Sequence, residues 1–504
     1  LEIAVIFAIF FVQGAWPVPE VNEAHYLGKA VHFWNPAWMQ NDFFLESADP
    51  HWGFYAVFGW LSFLVSRWWM AWIGRSLTWA LLAWSWQRMS FAFVARRGFA
   101  ILSAAMFAGL TEHCHMGGEW VIGGVEAKGF AFVFLFLGLE ALIRQRWSRV
   151  WLCFGVASAF HVLVGGWACA AAGIGWLALG RRRPPLSTMW PALVIGGLMA
   201  MPSLVGAIRL DWGVDASTAN LAHRIYVFYR LPHHLFLFGI DPLLILRFAL
   251  LIGVWAILRR ALGDDDASIR LGAFVTGALT IAFIGCMLSV AAMFQPAIAA
   301  DWLRFYWFRI SDVAVPLGVA LAATKLLDRV DLRNPAVGRR WIVAAAAAAT
   351  LYAGGYGVFR AFPTPPRSDL KVEFVGWRLA CQWVANSGEI PRNARFLTPF
   401  DAQTFSWYAN RSQVVSRKDL PQDAKSVVQW WTRLNDIYAT GSNEPGDEWH
   451  TSLNQLGEKR LLDLAEKYDA DYLITDTNPR LNFTMLYRNR SYTVYRLRDP
   501  QLSP

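Results

Sequence analysis

Apolar runs separated by short polar breaks set the pattern of the first 361 residues. They fall at about 1–15, 68–88, 98–112, 127–143, 150–179, 189–208, 235–258, 271–293, 307–326 and 341–361. A helix needs roughly 20 apolar residues to cross a bilayer, fewer where the membrane thins. Run 150–179 is too long for one pass and short for two. Basic loops flank it on both sides, so it predicts a hairpin folded near Val164–Trp167, and the ten runs predict eleven crossings. The stretch Gly53–Ser66 is apolar but too short to span, and predicts a helix lying in the outer interface. The run at 1–15 is expected to be a helix and not a cleaved leader, because no small-residue cleavage site follows it.

Basic residues test this parity. Arg96–Arg97, Arg144/Arg146/Arg149, Arg181–Arg183, Arg259–Arg260 and Arg339–Arg340 all fall on one face, which the positive-inside bias makes cytoplasmic. After Pro363–Pro366 the pattern changes. Residues 367–504 alternate in short strand-like runs (ARFLT, ADYLIT, YTVYRL) and carry one amphipathic helix signal, LGEKRLLDLAEKYDA. The expected fold is therefore an α-helical polytopic membrane domain over 1–363, with a long first outer loop at 16–67, followed by a soluble, extracytoplasmic α/β domain. The expected location is a bacterial inner membrane.

Composition agrees with that architecture. Of 504 residues 56% are apolar and only 16% charged, well below the quarter usual in soluble proteins, and 28 are Trp and 35 Phe. The net charge of +9 does not argue for nucleic acid, because the arginines sit in short clusters between apolar runs. Five cysteines, three of them inside apolar runs (Cys153, Cys169, Cys286), form neither a disulfide framework nor a zinc spacing.

Candidate chemistry gathers on the outer face. All ten histidines fall in outer loops, at outer helix ends or in the C-terminal domain. The first outer loop sets Glu20, Glu23, Asp42, Glu46 and Asp49 among Trp, Phe and Tyr, where burial can raise a carboxyl pKa towards that of a general base. The same acids would also serve simply to solvate a loop. A second cluster, Glu112 to Glu119 followed by Glu126 and Lys128, offers His113, His115 and Glu119 as ligand types for a divalent metal, and places Glu126 where a helix re-enters the membrane. Two aromatic, basic stretches carry Arg224 and Arg230, then Arg304 and Arg309. Their guanidinium forks suit phosphate oxygens, although belt aromatics and snorkelling arginines would look alike.

The order of short helix, long acidic outer loop, interfacial helix, helix opening near Arg75 and outer domain resembles the GT-C membrane glycosyltransferases. Their first outer loop commonly carries an acidic pair followed shortly by Tyr. Here the stretch is Asn22-Glu23-Ala24-His25-Tyr26, with Asn22 in place of the first acid. Endings such as ADYLITD and YTVYRL also resemble those of multi-pass proteins of planctomycete type. The GT-C resemblance implies inverting transfer of a sugar from a polyprenyl-phosphate donor at the outer face. Glu23 or Asp42 would then be the base, Glu126 would join the site, and Arg224, Arg230, Arg304 or Arg309 would hold the phosphate. The implied partners are the lipid-linked sugar and the bilayer, with no nucleic acid. The competing readings are a transporter or flippase, for which Arg247 is the main mid-run charge, and a non-catalytic assembly protein.

Overall fold

The computed structural model describes residues 1–441 and 449–498. Each apolar run is a helix, and run 150–179 is two: Trp147–Phe160 and Val162–Ala178. The other long helices are Glu2–Gly14, Arg67–Phe93, Phe99–His113, Ala127–Ile143, Trp190–Arg209, Pro242–Ala261, Asp266–Ala291, Arg309–Arg333 and Pro335–Ala361. Among the described residues five helices are long and apolar enough to cross a membrane, or six if Val162–Ala178 is joined to the bent segment after it. Their outward faces carry bare apolar side chains such as Leu198, Leu250, Ile257 and Leu351, a surface that water does not tolerate over so wide an area. The protein is a helical, multi-pass membrane protein with a small C-terminal sheet.

The fold-back in run 150–179 comes earlier than Val164–Trp167. It lies at His161, whose extended backbone breaks the helix and whose Nδ1 accepts the Val164 N–H at 3.3 Å, capping the second helix. A polar cap thus decides the corner, and the apolar residues expected there continue the helix. The two helices do fold back: Ser148 Oγ reaches Thr188 O at 3.3 Å and Trp151 Nε1 meets Met189 Sδ at 3.0 Å, so the start of the first helix lies beside the segment after the second.

The arginine clusters gather at one end of the bundle, where ion pairs tie helix ends together. Arg96 pairs with Asp328 at 2.9 Å and Asp331 at 2.8 Å, Arg88 with Glu140 at 3.0 Å, and Lys325 with Asp265 at 2.6 Å. Between the ends the core is aromatic, with Trp86 stacked on Phe107 at 4.4 Å and edge-on to Phe136.

The opposite end carries the first loop and the C-terminal domain. Helix Glu23–Trp34 lies against Trp52–Phe58 and the turn that follows, Gly59–Phe63. Gly59 is required here, because a Cβ would collide with the Ala30 carbonyl. In the C-terminal domain β1 (Arg395–Leu397), β2 (Ser412–Gln413), β3 (Tyr472–Asp476), β4 (Thr484–Arg488) and β5 (Tyr492–Arg496) form one sheet in the order β2-β1-β3-β5-β4. The first three strands are parallel and the last three antiparallel. Arg67 Nη2 donates to Trp407 O at 2.9 Å, Arg395 Nη2 to Asn41 O at 2.9 Å, and Ala424 N to Leu210 O at 3.1 Å, seating the domain on the loops.

Candidate functional site

Two adjoining cavities of about 160 Å³ each lie where the loops meet the C-terminal domain. They share Tyr26, His161, Tyr226, Tyr306, Arg309 and Gln422. One is polar and holds Glu119, Glu126, Lys128, Arg230, His234 and Lys418; the other adds Arg304, His51 and apolar groups such as Leu163, Ala207 and Leu210.

Arg309 stands at the junction because it opens its helix. Its Nε lies 2.5 Å from Glu119 Oε2 and its Nη1 3.2 Å from His161 Nε2, while Tyr306 packs its ring 4.0 Å from the guanidinium. Tyr306 adopts φ 56°, a left-handed backbone that a bulky residue takes only under constraint. Its hydroxyl meets that of Tyr226 at 3.2 Å. Tyr226 and Arg230 lie in the widened helical turn Ile225–Arg230, the kind of irregularity that recurs at functional sites.

The loop after Phe99–His113 is fixed by Asp312, whose carboxylate accepts the N–H groups of Met116 and Gly117 at 2.8 Å and of Glu119 at 3.3 Å. That clamp delivers Glu119 between two cations. Burial would raise the Glu119 pKa, but Arg309 and Lys128 outweigh it and hold the carboxyl below its ordinary range. Lys128 Nζ sits 2.9 Å from Glu119 Oε1 and 3.6 Å from Glu126 Oε2, and 4.0 Å over the Trp120 ring.

The residues singled out in the sequence divide sharply. Glu126 lines the polar cavity, and Asn22 Nδ2 donates to its Oε1 at 2.7 Å. An acid in place of Asn22 would repel Glu126; the amide instead supports it. Arg230 and Arg309 line the same cavity and Arg304 the neighbouring one. Arg304 is held by Asp211 Oδ2 and His223 Nε2, both at 2.7 Å from its Nη1. Glu23, Asp42 and Arg224 line neither.

Glu23 is fully buried and every lone pair direction is used. Arg75 donates through Nε at 2.6 Å and Nη2 at 2.5 Å, Val125 N at 2.9 Å and Glu20 N at 2.8 Å. Asp42 caps the turn Phe43–Glu46 and accepts Gln413 N at 3.3 Å, joining the loop to the C-terminal domain; burial pushes its pKa up to about 6. Arg224 is exposed.

His113, His115 and Glu119 do not all converge: His115 and Glu119 line a third cavity with Glu20 and Glu112, while His113 lies outside it and meets Tyr352 OH at 3.4 Å. Among the described residues no three His, Cys, Asp or Glu side chains gather to hold a metal. The two cavity carboxylates already share the Lys128 ammonium, which fills the place of a cation between them, so the donor set does not fit a metal.

Lys418, from the loop after β2, escaped sequence reasoning, because nothing in VVSRKDLP points to a cavity nearly 300 residues away in sequence from Lys128. Burial lowers its pKa to about 8, and the nearby Arg230 adds to the effect. Four cations therefore face two carboxylates in the polar cavity.

Residues 375–437 match a domain of unknown function, DUF6798. No curated protein matches the chain. Among solved structures the chain is similar to an oligosaccharyltransferase from Archaeoglobus fulgidus in complex with zinc and sulfate, at 11% identity and a TM-score of 0.40, over 94% of this chain and 68% of that one. It is also similar to the oligosaccharyltransferase AglB of that organism in complex with an inhibitory peptide and a dolichol-phosphate, at 11% identity and a TM-score of 0.44, over 94% of this chain and 69% of that one.

Proposed function

We propose that the protein transfers a sugar from a polyprenyl-phosphate donor to an acceptor hydroxyl at the outer face of the membrane, where the C-terminal domain also lies. The observation that carries this reading is the junction at Arg309. A cavity with an excess of cations opens there into one lined partly by apolar side chains of membrane helices. A polyprenyl phosphate has that same division, an anionic head on an apolar chain.

Arg309, Arg230 and Lys418 would hold the phosphate, with Arg304 on the apolar side. Charge-assisted bonds of this kind contribute roughly 1.5–3 kcal/mol each. Charge builds on the phosphate as its bond to the anomeric carbon breaks, and fixed cations in a secluded cavity stabilise that change. Lys128 supplies the cation between Glu119 and Glu126. Glu126 is the catalytic candidate among the loop acids that borders this space.

The test is binding of a synthetic polyprenyl phosphate to the purified protein. Arg230→Gln and Lys418→Gln should each weaken it about tenfold or more, in line with one lost charged bond. Unchanged binding in both variants would refute the phosphate assignment. Passage of the lipid across vesicles without any glycosylated product would point to a flippase.

A further inference from the structure

The loop acids that suggest a general base are committed elsewhere: Glu23 to Arg75, Asp42 to a helix cap, Glu119 to Arg309 and Lys128. Glu126 itself faces Lys128 and accepts from Asn22. One pair on the cavity wall is arranged differently.

Asp49 and His51 lie on the turn that opens the Trp52–Phe58 helix, each 8% exposed. Asp49 Oδ1 accepts the His51 backbone N–H at 2.9 Å and faces the ring Nδ1 at 2.6 Å. That contact fixes the proton on Nδ1, so Nε2 carries the lone pair. Nε2 has no hydrogen-bond partner among the described residues, and the ring lines the cavity that contains Arg304 and Arg309.

Other histidines near the cavities lack this combination. His161 uses both ring nitrogens, on Val164 N and Arg309. His223 uses both as well, on Asp301, Asp211 and Arg304. His25 stands 3.7 Å from Asp419, too far for a hydrogen bond. His234 donates to the Gly117 carbonyl and has no carboxylate behind it, and burial lowers its pKa to about 3, which makes it a feeble base.

The geometry points to His51, oriented by Asp49, as the general base of the transfer. This assignment rests on the glycosyl-transfer reading. In the step, the acceptor O–H gives its proton to His51 Nε2 as the acceptor oxygen bonds the anomeric carbon. The bond from that carbon to the phosphate oxygen breaks, and its electron pair leaves with the polyprenyl phosphate, now a monoester. The imidazolium then passes the proton to the departing phosphate or to water. Asp49 acts as a positioning residue: it holds the tautomer and stabilises the imidazolium as it forms. Burial would raise the Asp49 pKa, but the His51 imidazolium, once formed, and the hydrogen bonds from His51 outweigh it and hold the carboxyl well below its usual range. Tyr26, Tyr55 and His161 face the His51 ring from the neighbouring elements, Lys29 acts on Asp49, and Arg309 stands behind His161.

The experiment uses the full chain in proteoliposomes with a synthetic polyprenyl-phosphate sugar. His51→Asn keeps a donor near the Nδ1 position for Asp49 and deletes Nε2. Transfer should fall roughly 10²–10⁴-fold while donor binding is kept, and in His51→Ala added imidazole should restore part of the rate. In the wild type kcat/KM should show an acid limb, because a protonated base cannot accept the acceptor's proton. That limb should vanish in His51→Asn and shift in Asp49→Asn. Transfer within threefold of wild type in His51→Asn, or an unaltered acid limb, would overturn the assignment. If the wild type transfers no sugar, the reaction reading fails by itself. ¹⁵N NMR of His51 then still decides the dyad: a ring that stays protonated on Nδ1 while Nε2 titrates supports a base, and a ring that does not titrate between pH 5 and 8 overturns it.

Discussion

Glu23→Gln would leave the Arg75 guanidinium fully buried beside a neutral amide that cannot satisfy both of its forks. Breaking a buried pair on one side costs about 3–5 kcal/mol. The expected outcome is a folding defect, read as a lowered thermal midpoint of the detergent-solubilised protein; a stable variant with unchanged unfolding would contradict the structural role given to this pair. Lys418 makes the opposite kind of prediction, one of function without loss of fold. Burial lowers its pKa to about 8, so it is charged below that pH and neutral above. Polyprenyl-phosphate binding should therefore weaken as pH rises through about 8, and Lys418→Arg, which stays charged, should flatten the dependence. An identical pH profile in the two proteins would remove Lys418 from the phosphate site.

Among the elements, the first part of the loop from Cys114 to Glu126 is pinned by one carboxylate, that of Asp312. Asp312→Ala leaves three buried N–H groups without their acceptor, at about 1–3 kcal/mol each. Hydrogen exchange should accelerate at residues 116–119 and leave the Arg67–Phe93 helix unchanged; uniform protection would show that the loop is held by other means. The helices themselves were legible in the sequence because burial in lipid demands long apolar runs, and the strand runs ARFLT, ADYLIT and YTVYRL lie on β1, β3 and β5. Less was legible where a polar residue overrides the apolar pattern, as His161 does at the fold-back. The lining of the candidate site was legible in part. Glu126, Arg230, Arg304 and Arg309 declared themselves by charge beside aromatics or at a helix mouth. Glu23 carried the same signal, yet its partner Arg75 lies 52 residues on, and only the fold reveals that the pair is closed. Lys418 reaches the cavity through three-dimensional packing, which no local spacing encodes; Asp49 and His51 stand two residues apart, and only the fold places that ring on the cavity wall.

For the whole molecule, the arginine-rich end and the C-terminal domain lie at opposite ends of the helical bundle, and the proposed orientation puts the latter outside. In a cysteine-free background, Glu389→Cys should react with an impermeant thiol reagent on intact spheroplasts, and Asp264→Cys, an exposed position at the arginine end, only after permeabilisation. The reverse pattern would invert the orientation. The central claim, that the junction at Arg309 binds a lipid-linked phosphate and promotes sugar transfer, is tested most directly by transfer itself. Purified protein in liposomes is given a radiolabelled polyprenyl-phosphate sugar and a hydroxyl acceptor. The account predicts a labelled glycoside and released polyprenyl phosphate with the wild type, and a loss of about tenfold or more in Arg309→Gln even where that variant is folded. Labelled product formed equally well by a folded Arg309→Gln protein would contradict it.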